Sequence, residues 1–224
     1  TDYFKLRKRF EQFCEKVKGD NVHIYEASTA EDANRYIADV CKKHKSEYVV
    51  KSKSMTSEEI KLNDYLEKEG IKPVETDLGE WILQLSGEHP SHMVMPAIHK
   101  SRAQVAEIFE KFTGEPVDKD DINSMVKIAR KSLRDYYFKA GVGITGANVA
   151  VASSGTIGIV TNEGNARLST TVPPVHIVLM GYEKLVDNFS DTMKIIRMLP
   201  KSATGQRIST YTTWIKGGVP SIKR

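Results

Sequence analysis

Residues 48–76, YVVKSKSMTSEEIKLNDYLEKEGIKPVET, decide the fold. They open on a short apolar run, Tyr48-Val49-Val50, closed by Lys51, which reads as a buried strand. Thr56 followed by Glu59 has the spacing of a capping box, in which a hydroxyl and a carboxylate each accept from an otherwise unpaired N–H at a helix start. The helix it opens runs through Leu66 to Glu69, and Gly70 suits the left-handed residue that ends helices. Lys72–Thr76 is then a second strand. A helix between two short strands is a crossover connection, and crossovers join parallel strands.

Working outward, the same alternation continues. On the N-terminal side, Phe4, Leu6, Phe10, Phe13, Cys14 and Val17 recur at helical spacing over Tyr3–Val17, and Gly19-Asp20-Asn21 stops that helix. Val22–Tyr25 reads as a short strand, and Ser28 with Glu31 caps a helix over Ala33–His44. On the C-terminal side, His92–Met95 reads as a strand ended by Pro96, followed by helices over Ser101–Phe112 and Asp121–Tyr137. Val149–Ala152 and Ile157–Thr161 are two apolar runs joined by Ser153-Ser154-Gly155-Thr156, the pattern of a hairpin. Val175–Met180 is an apolar strand, Leu185–Leu199 a helix ended by Pro200, and Ile208–Trp214 is strand-like. The pattern predicts an α/β fold: an open, largely parallel sheet flanked by helices, with an N-terminal helical extension. The expected organisation is a helical extension over residues 1–45 packed on the core, an α/β domain over 46–216, and a tail or start of a linker over 217–224.

Composition narrows the class of partner. Of 224 residues, 40% are hydrophobic and 28% charged, enough for a core that needs no disulfide or metal staple. The net charge of +4 comes from 33 basic and 29 acidic residues interleaved along the chain, so nucleic acid is not expected as a partner. The basic opening Lys5-Leu6-Arg7-Lys8-Arg9 reads as the solvated face of an amphipathic helix. No apolar run approaches the roughly 20 residues that span a bilayer, so no membrane span is expected. The charged N-terminus carries no signal-peptide core, and the cytoplasm is the expected location. Cys14 and Cys41 form no C-x-x-C pair, and two thiols cannot ligate a four-cysteine cluster. The histidines lack zinc-binding spacing, so no metal site is expected.

Several strand ends carry chemistry. Lys51-Ser52-Lys53-Ser54 lies between a strand and a capped helix, where Lys51, Lys53 and Ser54 can hold an anion; a solvated turn is the alternative. Glu75-Thr76-Asp77-Leu78-Gly79-Glu80 ends the next strand, and its carboxylates can bind a metal or fix the lysines opposite, with Asp77 a ligand-binding or helix-capping candidate. In Ser153-Ser154-Gly155-Thr156 the backbone N–H groups can form an anion nest to which the hydroxyls add donors; a plain polar turn is the alternative. Asn162-Glu163-Gly164-Asn165-Ala166-Arg167 gathers a carboxylate, two amides and a guanidinium, with Arg167 suited to a carboxylate or phosphate and Glu163 to a base or nucleophile. Gly141-Val142-Gly143-Ile144-Thr145-Gly146 fits G-x-G-x-x-G but follows a helix instead of a strand, so its glycines read as sites of close backbone approach at a helix-to-strand corner.

Five segments together resemble one family. TGANVAVASSGTIGIVTNEGNAR at residues 145–167 resembles the signature of the LUD domain, as do VKSKSMTSEEI at 50–60, ETDLGEWI at 75–82, HPSHMVMPAIH at 89–99 and PPVHIVLMGYEK at 173–184. Within that family the chain resembles the lactate-utilization B proteins, iron–sulfur oxidoreductase subunits that act with A and C type partners in oxidising L-lactate to pyruvate. The resemblance implies iron–sulfur clusters in a C-terminal domain outside this sequence, and none in this chain. It also implies a fold like that of ribose-5-phosphate isomerase, glucosamine-6-phosphate deaminase and the CoA transferases. In CoA transferases a glutamate in a Ser-Glu-Asn-Gly motif is the nucleophile, and Asn162-Glu163-Gly164-Asn165 is similar without being identical, which makes Glu163 the catalytic candidate. Three functions follow: a substrate-holding domain of a lactate-oxidising complex with a small anionic ligand at its strand-end loops, a self-contained enzyme on a phosphate- or CoA-bearing substrate, and a partner-docking module.

Overall fold

The computed structural model describes residues 2–92, 95–209 and 211–218. In chain order the strands are β1 (Tyr48–Lys51), β2 (Lys72–Glu75), β3 (Val142–Thr145), β4 (Val149–Val151), β5 (Thr156–Thr161), β6 (Val175–Val178), β7 (Leu185–Val186) and β8 (Tyr211–Lys216). The helices are α1 (Tyr3–Val17), α2 (Ala30–Lys43), α3 (Met55–Glu59), α4 (Leu62–Lys68), α5 (Leu78–Ser86), α6 (Arg102–Thr113), α7 (Ile122–Lys139), α8 (Asn165–Thr171) and α9 (Phe189–Thr204).

The anticipated parallel sheet is present as four strands in the order β2-β1-β3-β6. Successive side chains of β1 point to opposite faces. Val50 joins Val74, Trp81, Phe109, Met125 and Leu133 under α5, α6 and α7. Val49 joins Ile37, Cys41, Leu62, Leu66 and Ile144 under α2 and α4. With both faces covered, β1 and β3 are apolar almost throughout, as parallel strands require.

A second, mixed sheet has the order β7-β4-β5-β8. The expected hairpin forms its centre, with β4 antiparallel to β5. β8 pairs antiparallel with β5, and β7 parallel with β4. Helix α1 lays Phe13 and Val17 against Ala150 and Leu185 of this sheet. The Arg9 guanidinium fixes the helix by a two-pronged bond to Asp187, with Nε donating to Oδ1 at 2.7 Å.

Several elements differ from the sequence reading. Val22–Tyr25 is not a strand: this stretch lies beside α2, where Tyr25 stacks on Tyr36 at 3.8 Å. Thr29, not Ser28, caps α2 by accepting from the Asp32 N–H. Ser54, not Thr56, caps α3, and the expected single helix breaks where Lys61 takes a left-handed φ of 53°. Leu185 and Val186 pair with β4, so the last long helix starts only at Phe189, under an Asn188 cap. It runs through Pro200 to Thr204, because buried Ile196 and Pro200 hold the last turns against the core despite the missing N–H. β3 is hard to read in sequence because Gly143, at its second position, interrupts the apolar run. The expected strand at His92–Met95 includes residues 93 and 94, which lie outside the described residues.

Gly143 shows what such a glycine is for. A Cβ there would lie 1.9 Å from the Ser169 carbonyl oxygen, so α8 rests directly on the β3 backbone. The Gly143→Ala variant must push α8 off the sheet. It is expected to cost about 2 kcal/mol or more in urea unfolding, and an unchanged midpoint would show that the contact is not tight.

Candidate functional site

The carboxyl ends of the parallel strands gather an unusual set of charges. Lys51, the last residue of β1, is fully buried. Its neighbour across the sheet is Glu75, the last residue of β2. Lys51 Nζ lies 2.8 Å from Glu75 Oε1, donates to Glu58 Oε1 at 2.8 Å and donates to Ser57 Oγ at 2.9 Å. Ser57 and Glu58 are in place because Ser54 caps α3 and turns it back over the strand end. Burial disfavours the Lys51 ammonium, but Glu75 and Glu58 outweigh it and hold its pKa above the ordinary lysine range. Asn63 Nδ2 also donates to Glu75 Oε1, at 2.7 Å.

A second pair lies beside the first. Glu80, in the first turn of α5, is buried, and its carboxyl is pushed up to about 8, first by burial and then by the charge of Glu75. Lys53 Nζ lies 3.8 Å from Glu80 Oε1, inside ion-pair range but beyond a hydrogen bond. That ammonium is shielded from solvent and has no hydrogen-bond acceptor in the protein.

The far rim comes from the segment between the two sheets. Asp77 is the cap residue of α5. Partial burial raises the Glu163 carboxyl, and the nearby Asp77 charge adds to the shift, so these two carboxyls share a rim. Tyr137, from α7, donates its hydroxyl to the Asn165 carbonyl at 3.5 Å and is near the Thr76 and Ser169 hydroxyls. Lys51, Lys53, Ser54, Asp77, Glu163 and Asn165 are thus brought to one end of the parallel sheet, where open α/β folds bind ligands.

Other candidates lie elsewhere. The turn Ser153-Ser154-Gly155-Thr156 is at the opposite end of β5 from Glu163, about 17 Å away along the strand. Its N–H groups are already used: Ser153 donates to the Asp187 carbonyl, and Ser154 and Gly155 both donate to that of Val151. Ser154 Oγ donates to Thr156 Oγ1, and a Cβ on Gly155 would strike Val17 of α1 at 2.7 Å. This is a packed structural turn, not an anion nest shared with the lysines. Arg167, exposed on α8, lays its guanidinium over the Tyr211 ring of β8, 4.0 Å from the ring centre. Asn162 lies exposed just beyond β5.

Ser57, Glu58, Asn63 and Tyr137 join this cluster without any sequence signal. In sequence they are ordinary helix residues, and only the return of α3 and α4 over the sheet end gives them a role. The thiols do not suit an iron–sulfur cluster. Cys41 is buried among aliphatic side chains with its pKa pushed up to about 12, and Cys14 sits in α1, which packs on the other sheet. Among the described residues no three His, Cys, Asp or Glu are grouped to hold a metal ion.

The fold and the sequence have counterparts among known proteins. A solved structure of a DUF162 family protein from Deinococcus radiodurans superposes with a TM-score of 0.51 over 95% of this chain and 89% of that one. At 12% identity it shows the shared fold alone. The uncharacterized electron transport protein YkgF of Escherichia coli (strain K12) is 45% identical over 206 residues. Lactate utilization protein B of Bacillus subtilis (strain 168) is 45% identical over 208 residues, and that of Oceanobacillus iheyensis 46% over 207. Each match covers 92% of this chain but only 43% of the relative, so the chain spans less than half the length of the curated relatives it matches. The profile of the LUD domain matches residues 10–221, and the chain belongs to the LUD domain family.

Proposed function

We propose that this LUD domain takes part in L-lactate oxidation to pyruvate and holds a small carboxylate at the carboxyl ends of β1 and β2, with Lys53 as the cationic anchor. The observation that carries this reading is the Lys53 ammonium, enclosed and without a hydrogen-bond acceptor. An enclosed cation with free donors is costly unless something negative completes it, and a carboxylate supplies both charge and acceptor oxygens. The names of the relatives, lactate utilization and electron transport, supply the process.

In this reading the chain binds and orients the substrate. Lys53 draws the carboxylate in, and Asp77 and Glu163 border it on the other side. Electron acceptance belongs to iron–sulfur clusters in the additional length of the relatives, and the working assembly includes A and C type partner subunits in the cytoplasm. Lys53→Met is expected to weaken pyruvate or L-lactate binding by about tenfold to a hundredfold, the worth of a charge-assisted hydrogen bond. Calorimetry with an unfolding control measures this, and equal affinity in the variant would remove Lys53 from the site.

A second reading rests on Glu163. Its raised carboxyl suits a base or nucleophile, as an enzyme on a phosphate- or CoA-bearing substrate would need. It predicts turnover of an acyl-CoA by the isolated domain that Glu163→Gln abolishes; turnover that survives the substitution rules the role out.

A further inference from the structure

Lys53 and Glu80 are within ion-pair range, yet no hydrogen bond joins them. Their closest atoms are 3.8 Å apart, and neither Lys53 Nζ nor Glu80 Oε2 has a hydrogen-bond partner although both are buried. Glu75 Oε2 is likewise buried without a donor. One proton placed between the Glu75 and Glu80 carboxyl groups gives each of them a partner.

Charges around Glu80 come from every side. Lys51 and Lys53 arrive from the end of β1, Glu75 from the end of β2 and Glu58 from α3, while α4 adds the neutral Asn63. On the remaining side α6 meets α5 through Phe109 and Phe112 against Trp81, and α7 brings the Tyr137 hydroxyl to the rim. Lys51 is matched by Glu75 and Glu58. If Glu80 were ionised, Lys53 would be matched as well, and an incoming anion would meet a cluster already in negative excess.

We propose that Glu80 is a positioning residue, held as a neutral carboxylic acid by a proton shared with Glu75, and that this proton leaves the Lys53 charge free, so that the cleft takes up one monocarboxylate for each proton it keeps. This rests on the anion site proposed above and deepens it: the ligand is a monoanion, admitted only while Glu80 is protonated. No bond to the ligand forms or breaks. A monoanion already brings Lys51, Lys53, Glu58, Glu75 and the neutral Glu80 to one net negative charge, and a dianion would add a second in an enclosed site and is disfavoured. The carboxyl of Glu80, raised to about 8, agrees with a group that is neutral at physiological pH.

The test reads pyruvate affinity against pH. Below about pH 8 the wild-type protein should bind with constant affinity. Above it, Glu80 ionises and competes for Lys53, and affinity should fall by up to about tenfold per pH unit, the signature of one linked proton. Glu80→Gln mimics the neutral acid, so its profile should be flat and it should bind several-fold more tightly than wild type at pH 9. A merely structural role for Glu80 would not produce that gain. Carbon-13 NMR of labelled glutamate gives a readout on the free wild-type protein, which also decides the matter if Glu80→Gln does not fold. One side-chain carboxyl should titrate near 8 and move higher when pyruvate is added. Parallel pH profiles for wild type and variant, or no glutamate titrating above the ordinary range while pyruvate still binds, overturn this proposal and leave the ligand site standing. Absence of pyruvate and L-lactate binding at every pH overturns both.

Discussion

An ammonium with no access to water has to be answered on all sides, and Lys51 imposes that requirement on the carboxyl end of β1. A buried charge is tolerable only when it is paired and its donors are used. Glu75 answers from the neighbouring strand, and Ser57 and Glu58 answer from α3. Strand pairing, the Ser54 cap and the return of α3 therefore stand or fall together. Apolar packing sets the layers of the fold, and this network sets the register and the position of the short helices around the cleft.

The same network explains why charged groups persist in a place where aliphatic residues would pack more cheaply. Lys51 with Glu58 and Glu75 forms a closed set, whereas Lys53 with Glu80 is left incomplete. The parallel sheet carries this asymmetry at its carboxyl end. The mixed sheet seats α1 and delivers Glu163 from the end of β5.

Much of the parallel sheet was legible in sequence, since β1 and β6 are short, largely apolar runs and β2 follows closely on the helix-ending Gly70. β3 was not, because Gly143 trades side-chain signal for backbone contact with Ser169. Leu185 and Val186 looked like the start of a helix because two apolar residues fit either period, and pairing with β4 decided the matter. At the site, Lys53 and Asp77 could be located from their places after strands. The Ser154 turn could not be excluded, because a turn with free N–H groups and one whose N–H groups are spent have the same sequence. Glu58 and Tyr137 were invisible for a different reason: their roles depend on how helices return over the sheet, which no local pattern encodes.

The contact between Gly143 and the Ser169 carbonyl constrains how a ligand enters. With backbone seated on backbone, α8 is clamped, and the loop before it that bears Glu163 is anchored at one end. The opposite wall is the five-residue α3, joined to α4 through the left-handed Lys61. The two flanks of the cleft are therefore held differently, by main chain against main chain on the Glu163 side and by side-chain bonds to Lys51 on the Ser57 side.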